Sequence, residues 1–140
     1  MALIKINKEN EMGKVSMTPE EIRNKLFYFE NAFHAFHQDT TNGWEHDALG
    51  KLYEQLADYK DDIPEKIMGY MGGKRIGSLK REQIPAYSNK ESSIKLVEEL
   101  IKFAKQLEEW AESKEYCDIE NIAQSLSGDG AKAIYRLSLK

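Results

Sequence analysis

The chain has 140 residues, 41% of them apolar and 31% charged, with a net charge of −4 at pH 7. That length suits one domain with a core that needs no covalent staples. The acidic balance excludes a broad basic face for nonspecific nucleic-acid binding, and the single cysteine, Cys117, excludes an intrachain disulfide framework.

Residues 1–17 have no helical period and are expected to form an irregular tail or short strand, since ALIKI alternates in polarity. The start MALIKINKENEMGK lacks the sustained apolar core of a signal peptide. No stretch approaches the roughly 20 apolar residues of a membrane helix, so no membrane partner and a cytoplasmic location are expected.

The domain proper is expected over 18–140 and reads as all-α. Thr18 suits an N-cap, Pro19 the first helical position, and Glu21 the third residue of a capping box. The helix that follows carries Ile22, Leu26, Phe29, Phe33 and Phe36 at 4-3-4-3 spacing, one apolar stripe. It should fade in the turn formers DTTNG at 39–43.

A second helix is expected from about Trp44 to about Tyr70, striped by Leu49, Leu52, Leu56, Ile63 and Ile67. Pro64 removes a backbone donor inside it and predicts a kink. GYMGGKRIG then ends the helix, and residues 72–90 read as a long connection from one end of a bundle to the other. GGKRIG lacks the trailing Lys-Ser/Thr of a phosphate loop and is read as plain loop.

The third helix opens near Ser88–Asn89, with Ile94, Val97, Leu100, Ile101, Ala104, Leu107 and Ala111 as its stripe. The fourth starts near Asp118 with Ile119, Ile122 and Leu126 and resumes with Ile134, Leu137 and Leu139. Between its halves lies SGDG at 127–130, and a mid-helix glycine costs about 1 kcal/mol relative to alanine, which predicts a broken or frayed helix. Two helical hairpins joined by a long middle connection make a ferritin-like four-helix bundle, with a simple up-down bundle as the other arrangement open.

The polar groups of interest are His34, His37, His46, Asp61 and Glu65. All three histidines of the chain fall within HAFHQDTTNGWEH at 34–46. Neutral imidazoles with carboxylates suit iron, zinc or manganese. His34 and His37 share a helix face at i,i+3, and Asp61 and Glu65 share one at i,i+4. Helical phase puts Asp61 and Glu65 roughly 135–175° from the apolar stripe of their own helix. His34 falls roughly 120° and His37 roughly 60° off theirs. None points into the bundle centre, and no Glu-x-x-His occurs, so a self-contained two-metal centre is not expected. The plain readings are solvated carboxylates on an outer face and hydrogen-bonded imidazoles at a polar helix end. The other reading needs a second chain to bring carboxylates to histidines. Trp44 and Trp110 read as packing or interface aromatics, Tyr53 as packing along the second helix, and Cys117 as structural.

The stretch FHAFHQDTTNGWEHDALGKLYEQLADYKDDIPEKIMG at 33–69 resembles the Dps family of mini-ferritins. In that family a histidine ends the first long helix, a second begins the next, and an Asp-x-x-x-Glu follows fifteen residues later, as His46, Asp61 and Glu65 do here. The first histidine corresponds to His34 without gaps or to His37 with a shortened turn. Gly50 stands where the family usually has a carboxylate, and Gln38 or Ala35 where it often has tryptophan. A closer likeness is to an uncharacterised ferritin-like group of bacteriophage genomes. It shares H-x-x-H, a shortened turn, H-x-A-L-G-x-x-Y, D-x-x-x-E and a last helix like DIENI…IYRLSL. The likeness is good over 20–70 and thin afterwards.

The resemblance implies a homo-oligomer, a dimer at least and a twelve-subunit shell in the full family form, with iron bound between subunits and oxidised there as a ferroxidase. Zinc or manganese are the other metals open. It implies metal ligands among His34, His37, His46, Asp61 and Glu65, with no separate catalytic residues. A phage-encoded chain would work in the bacterial host cytoplasm. Residues 1–15 carry three lysines against two glutamates, so the family's basic arm for nucleic acid is absent. The alternative is a metal-free ferritin-like bundle acting as a structural or interaction protein. A small-molecule binding module is a third option that no ligand motif supports.

Overall fold

The computed structural model describes residues 16–139. The tail or strand expected at the N-terminus lies mostly outside them. The described residues form four helices: α1 Pro19–Asp39, α2 Gly43–Tyr70, α3 Lys90–Lys114 and α4 Cys117–Leu137. No helix among the described residues is long and apolar enough to cross a membrane.

α1 begins as its sequence dictates. Glu21 N–H donates to Thr18 Oγ1 at 3.1 Å, and Thr18 N–H donates back to Glu21 Oε1 at 2.9 Å. Its stripe Ile22, Leu26, Phe29, Phe33 and Phe36 is buried and packs on the Leu49, Leu52, Leu56, Ile63 and Ile67 stripe of α2 in one core. Each such side chain contributes roughly 1.5–3 kcal/mol when fully buried. α2 runs on through Pro64, whose ring is buried. In α3 the core face is broader than expected, since Leu96, Phe103 and Trp110 join Val97, Leu100, Ala104, Leu107 and Ala111. Trp110 is thus a core residue, 2% exposed, whereas Trp44 is 53% exposed.

α1 packs on α2 and α3 on α4 along their lengths; α2 also packs on α4, and α1 less closely on α3. Residues 71–89, between α2 and α3, follow α1. Arg23 Nη2 donates to Ser78 O at 2.5 Å, Lys80 N–H donates to Asn24 Oδ1 at 2.8 Å, and Lys25 pairs with Glu82 at 3.2 Å, all in the first turns of α1. Further on, Tyr87 lies edge-on to Phe36 in the last turns of α1, with ring centres 5.4 Å apart.

The expected break at SGDG does not occur, and α4 is continuous through Gly128 and Gly130. A Cβ at Gly130 would lie 2.6 Å from Ile101 Cγ1. The glycine therefore lets α4 approach α3 closely, and the packing gained offsets its poor helix propensity. Cys117, expected as a structural residue, is exposed.

Candidate functional site

The three histidines meet where α1 turns into α2. Residues 40–42 make the turn. Thr40 N–H donates to Phe36 O at 3.0 Å, and Asn42 Oδ1 caps α2 by accepting from Glu45 N–H at 2.9 Å. This short turn brings the last turn of α1 beside the first turn of α2. His37 Nδ1 donates to His46 O at 2.8 Å, and His46 Nδ1 donates to His37 O at 2.8 Å. The two rings stack with centres 3.8 Å apart and planes at 22°.

This reciprocal pair fixes the tautomers. A carbonyl oxygen only accepts, so each Nδ1 carries a proton, and the neutral ring keeps its lone pair on Nε2. Metal-bound histidines are held in the same way, by a backbone carbonyl on the other nitrogen. His34 lies one turn back, stacked on Tyr53 with centres 4.2 Å apart and planes at 2°. Its Nε2 accepts from Gln38 Nε2 at 3.4 Å, and its ring centre is 6.4 Å from that of His37.

Glu45 holds the corner together from beneath. It is 2% exposed, and its carboxylate accepts from Thr40 Oγ1 at 2.9 Å, Tyr87 Oη at 3.0 Å and Ser93 Oγ at 2.6 Å. Those donors come from the end of α1, the 71–89 connection and the start of α3. Burial is the main cause that raises the Tyr87 phenol, and the neighbouring Glu45 carboxylate adds to it. Sequence reasoning missed Glu45. Its only local signal is the position three residues after Asn42, which suggests a capping box, and its real partners are remote in the chain.

Asp61 and Glu65 are exposed on α2, as their helical phase predicts. Neighbouring Lys60 instead turns inward to Glu30 at 3.3 Å. Asp61 lies fifteen residues beyond His46, about 22 Å along a helix. One chain therefore cannot bring both to one ion. Among the described residues, no group of three or more His, Cys, Asp or Glu could hold a metal. The stacked rings add a second limit. Planes 22° apart with centres 3.8 Å from each other meet only about 10 Å from those centres. An ion about 2.1 Å from Nε2 sits far nearer its ring. His37 and His46 in this arrangement offer two separate nitrogen donors rather than one chelate. The donor chemistry fits a divalent metal, whose remaining ligands would have to come from outside this cluster.

Gly50 explains the departure seen in the sequence. A Cβ there would lie 2.9 Å from His37 Cε1 and 3.0 Å from its Nδ1. The His37 ring occupies the space a side chain at position 50 would need.

Among the described residues these features define an all-helical bundle of four helices with a histidine-closed hairpin corner. The chain belongs to a family of unknown function (DUF5856), whose model matches residues 37–137. The match takes in His37, His46, Asp61 and Glu65 and begins after His34. No curated protein and no solved structure matches the chain.

Proposed function

We propose that this chain is a ferritin-like subunit that assembles with copies of itself and binds a divalent metal, iron foremost, between subunits. His37 and His46 of one chain supply nitrogen donors, and Asp61 and Glu65 of another supply oxygen donors. The reading rests on one observation: both Nδ1 atoms are tied to backbone carbonyls, which directs the lone pairs to Nε2. His34 is the second choice, because its Nε2 already accepts from Gln38. The course of residues 71–89 along α1 supports a ferritin-like crossover. Bound iron(II) would supply the electron for reducing oxygen or peroxide. The protein's part is to hold the ion and set its ligands.

Loading the purified chain with iron(II) and measuring bound metal and its oxidation tests the reading. The expected result is metal uptake that falls sharply in a chain carrying His46→Ala with Glu65→Ala. A variant that binds and oxidises iron like the parent would overturn it.

A second reading is a metal-free assembly or interaction protein. It is favoured by the ring stack, which completes the corner with the protein's own hydrogen bonds. A chain that oligomerises and stays metal-free with iron(II), zinc or manganese supplied would select it.

A further inference from the structure

We infer that Gly50 is a positioning residue for this site: it provides the space in which the His37 imidazole is held, and so determines that this place presents nitrogen rather than an oxygen donor from the same helix. The inference deepens the metal reading above, and rests on it for its function but not for its geometry.

Three contacts limit where the His37 ring can go. Its Nδ1 is bound to His46 O at 2.8 Å, one face stacks on His46 at 3.8 Å, and the Tyr53 ring centre lies 5.2 Å away. The remaining space lies over buried Gly50, whose missing Cβ would stand 2.9 Å from the ring. A contact that short forces a shift. Any movement of the ring away from position 50 disturbs the bond that fixes its proton on Nδ1. A helix-interior glycine is otherwise unfavourable, so this position spends helix propensity to admit the ring. Position 50 thus exchanges a side chain from α2 for an imidazole from α1. An imidazole nitrogen in place of a carboxylate favours borderline first-row cations over magnesium or calcium, which prefer oxygen.

The test uses the full chain in three measurements. The first is the urea midpoint of Gly50→Ala in the parent and in a His37→Ala background. Alanine should lower the midpoint in the parent and raise it where the ring is gone, because only helix propensity then acts. An equal rise in both backgrounds overturns the inference. The second is the imidazole ¹⁵N spectrum without metal. His37 should be protonated at Nδ1 in the parent and lose that signature in Gly50→Ala. An unchanged His37 signal also overturns it. The third is cobalt(II) titration read by absorption, in which Gly50→Ala should weaken binding roughly tenfold to a hundredfold, the usual effect of disturbing the support of a ligand. A parent that binds no cobalt(II) overturns the metal reading, while the two metal-free measurements still decide the role of Gly50.

Discussion

Replacing Glu45 by alanine tests how the corner is held. The carboxylate accepts three hydroxyl hydrogen bonds, and Ser93, one of the donors, is 0% exposed. Hydrogen bonds to a charged group contribute about 1.5–3 kcal/mol each, and a buried donor left alone costs about as much again as it gained. Thr40 and Tyr87 are half-buried, so water can replace part of what they lose. The native carboxylate also bears a desolvation cost that alanine removes. Together these give a loss of about 3–4 kcal/mol, a large share of the roughly 5–15 kcal/mol that holds a domain folded. Urea unfolding followed by far-UV circular dichroism reads this directly. With a slope of about 1–3 kcal/mol per molar, the midpoint should fall by about 1 M at least. Glu45→Gln keeps the shape and one acceptor oxygen and should lose about half as much. If Glu45→Ala costs no more than alanine at an exposed glutamate such as Glu98, the carboxylate does not join the four chain segments as described.

Two other predictions follow from the same geometry. Gly130→Ala should destabilise by about 1–3 kcal/mol through its clash with Ile101, whereas Gly128→Ala, with open space around it, should gain up to about 1 kcal/mol; opposite signs in urea unfolding are the check. Burial pushes the Tyr59 phenol up to about 12, with the Asp129 carboxylate adding to it through charge and a hydrogen bond. The folded chain therefore holds a proton between pH 10 and about 12 that the unfolded chain releases. Stability from this group is complete below pH 10 and is lost as pH rises toward 12. Tyr59→Phe should make the alkaline fall of the urea midpoint shallower. Part of the fall should remain, because the hydrogen bond to Asp118 raises Tyr70 in the same sense.

Helices and their ends were legible because their signals are local. Thr18, Pro19 and Glu21 lie within one turn of each other, and a core stripe repeats every three or four residues. Helical phase also placed Asp61 and Glu65 outward, and the turn formers at 39–43 marked the end of α1. What sequence could not supply was distance between remote residues. Gly130 read as a helix breaker because Ile101, which rests on it, sits on the preceding helix. Gly50 read as a missing ligand because its neighbour in space, His37, belongs to α1. Glu45 was missed because Tyr87 and Ser93 reach it only after the chain has run the length of the bundle and back. Trp44 and Trp110 are the same residue type, and only packing separates the exposed one from the buried one.

The central claim is that one chain carries the nitrogen half of a metal site and another carries the oxygen half. Mixing two defective chains tests it most directly. One carries His37→Ala with His46→Ala, the other Asp61→Ala with Glu65→Ala. They are unfolded together, refolded and titrated with iron(II) without oxygen. Each alone should bind no metal at this site. In a two-fold assembly the mixture should recover about a quarter of the parent's sites, because a mixed pair rebuilds one intact site from the undamaged halves. Metal binding retained by either variant alone, or a mixture as empty as its components, would contradict the account.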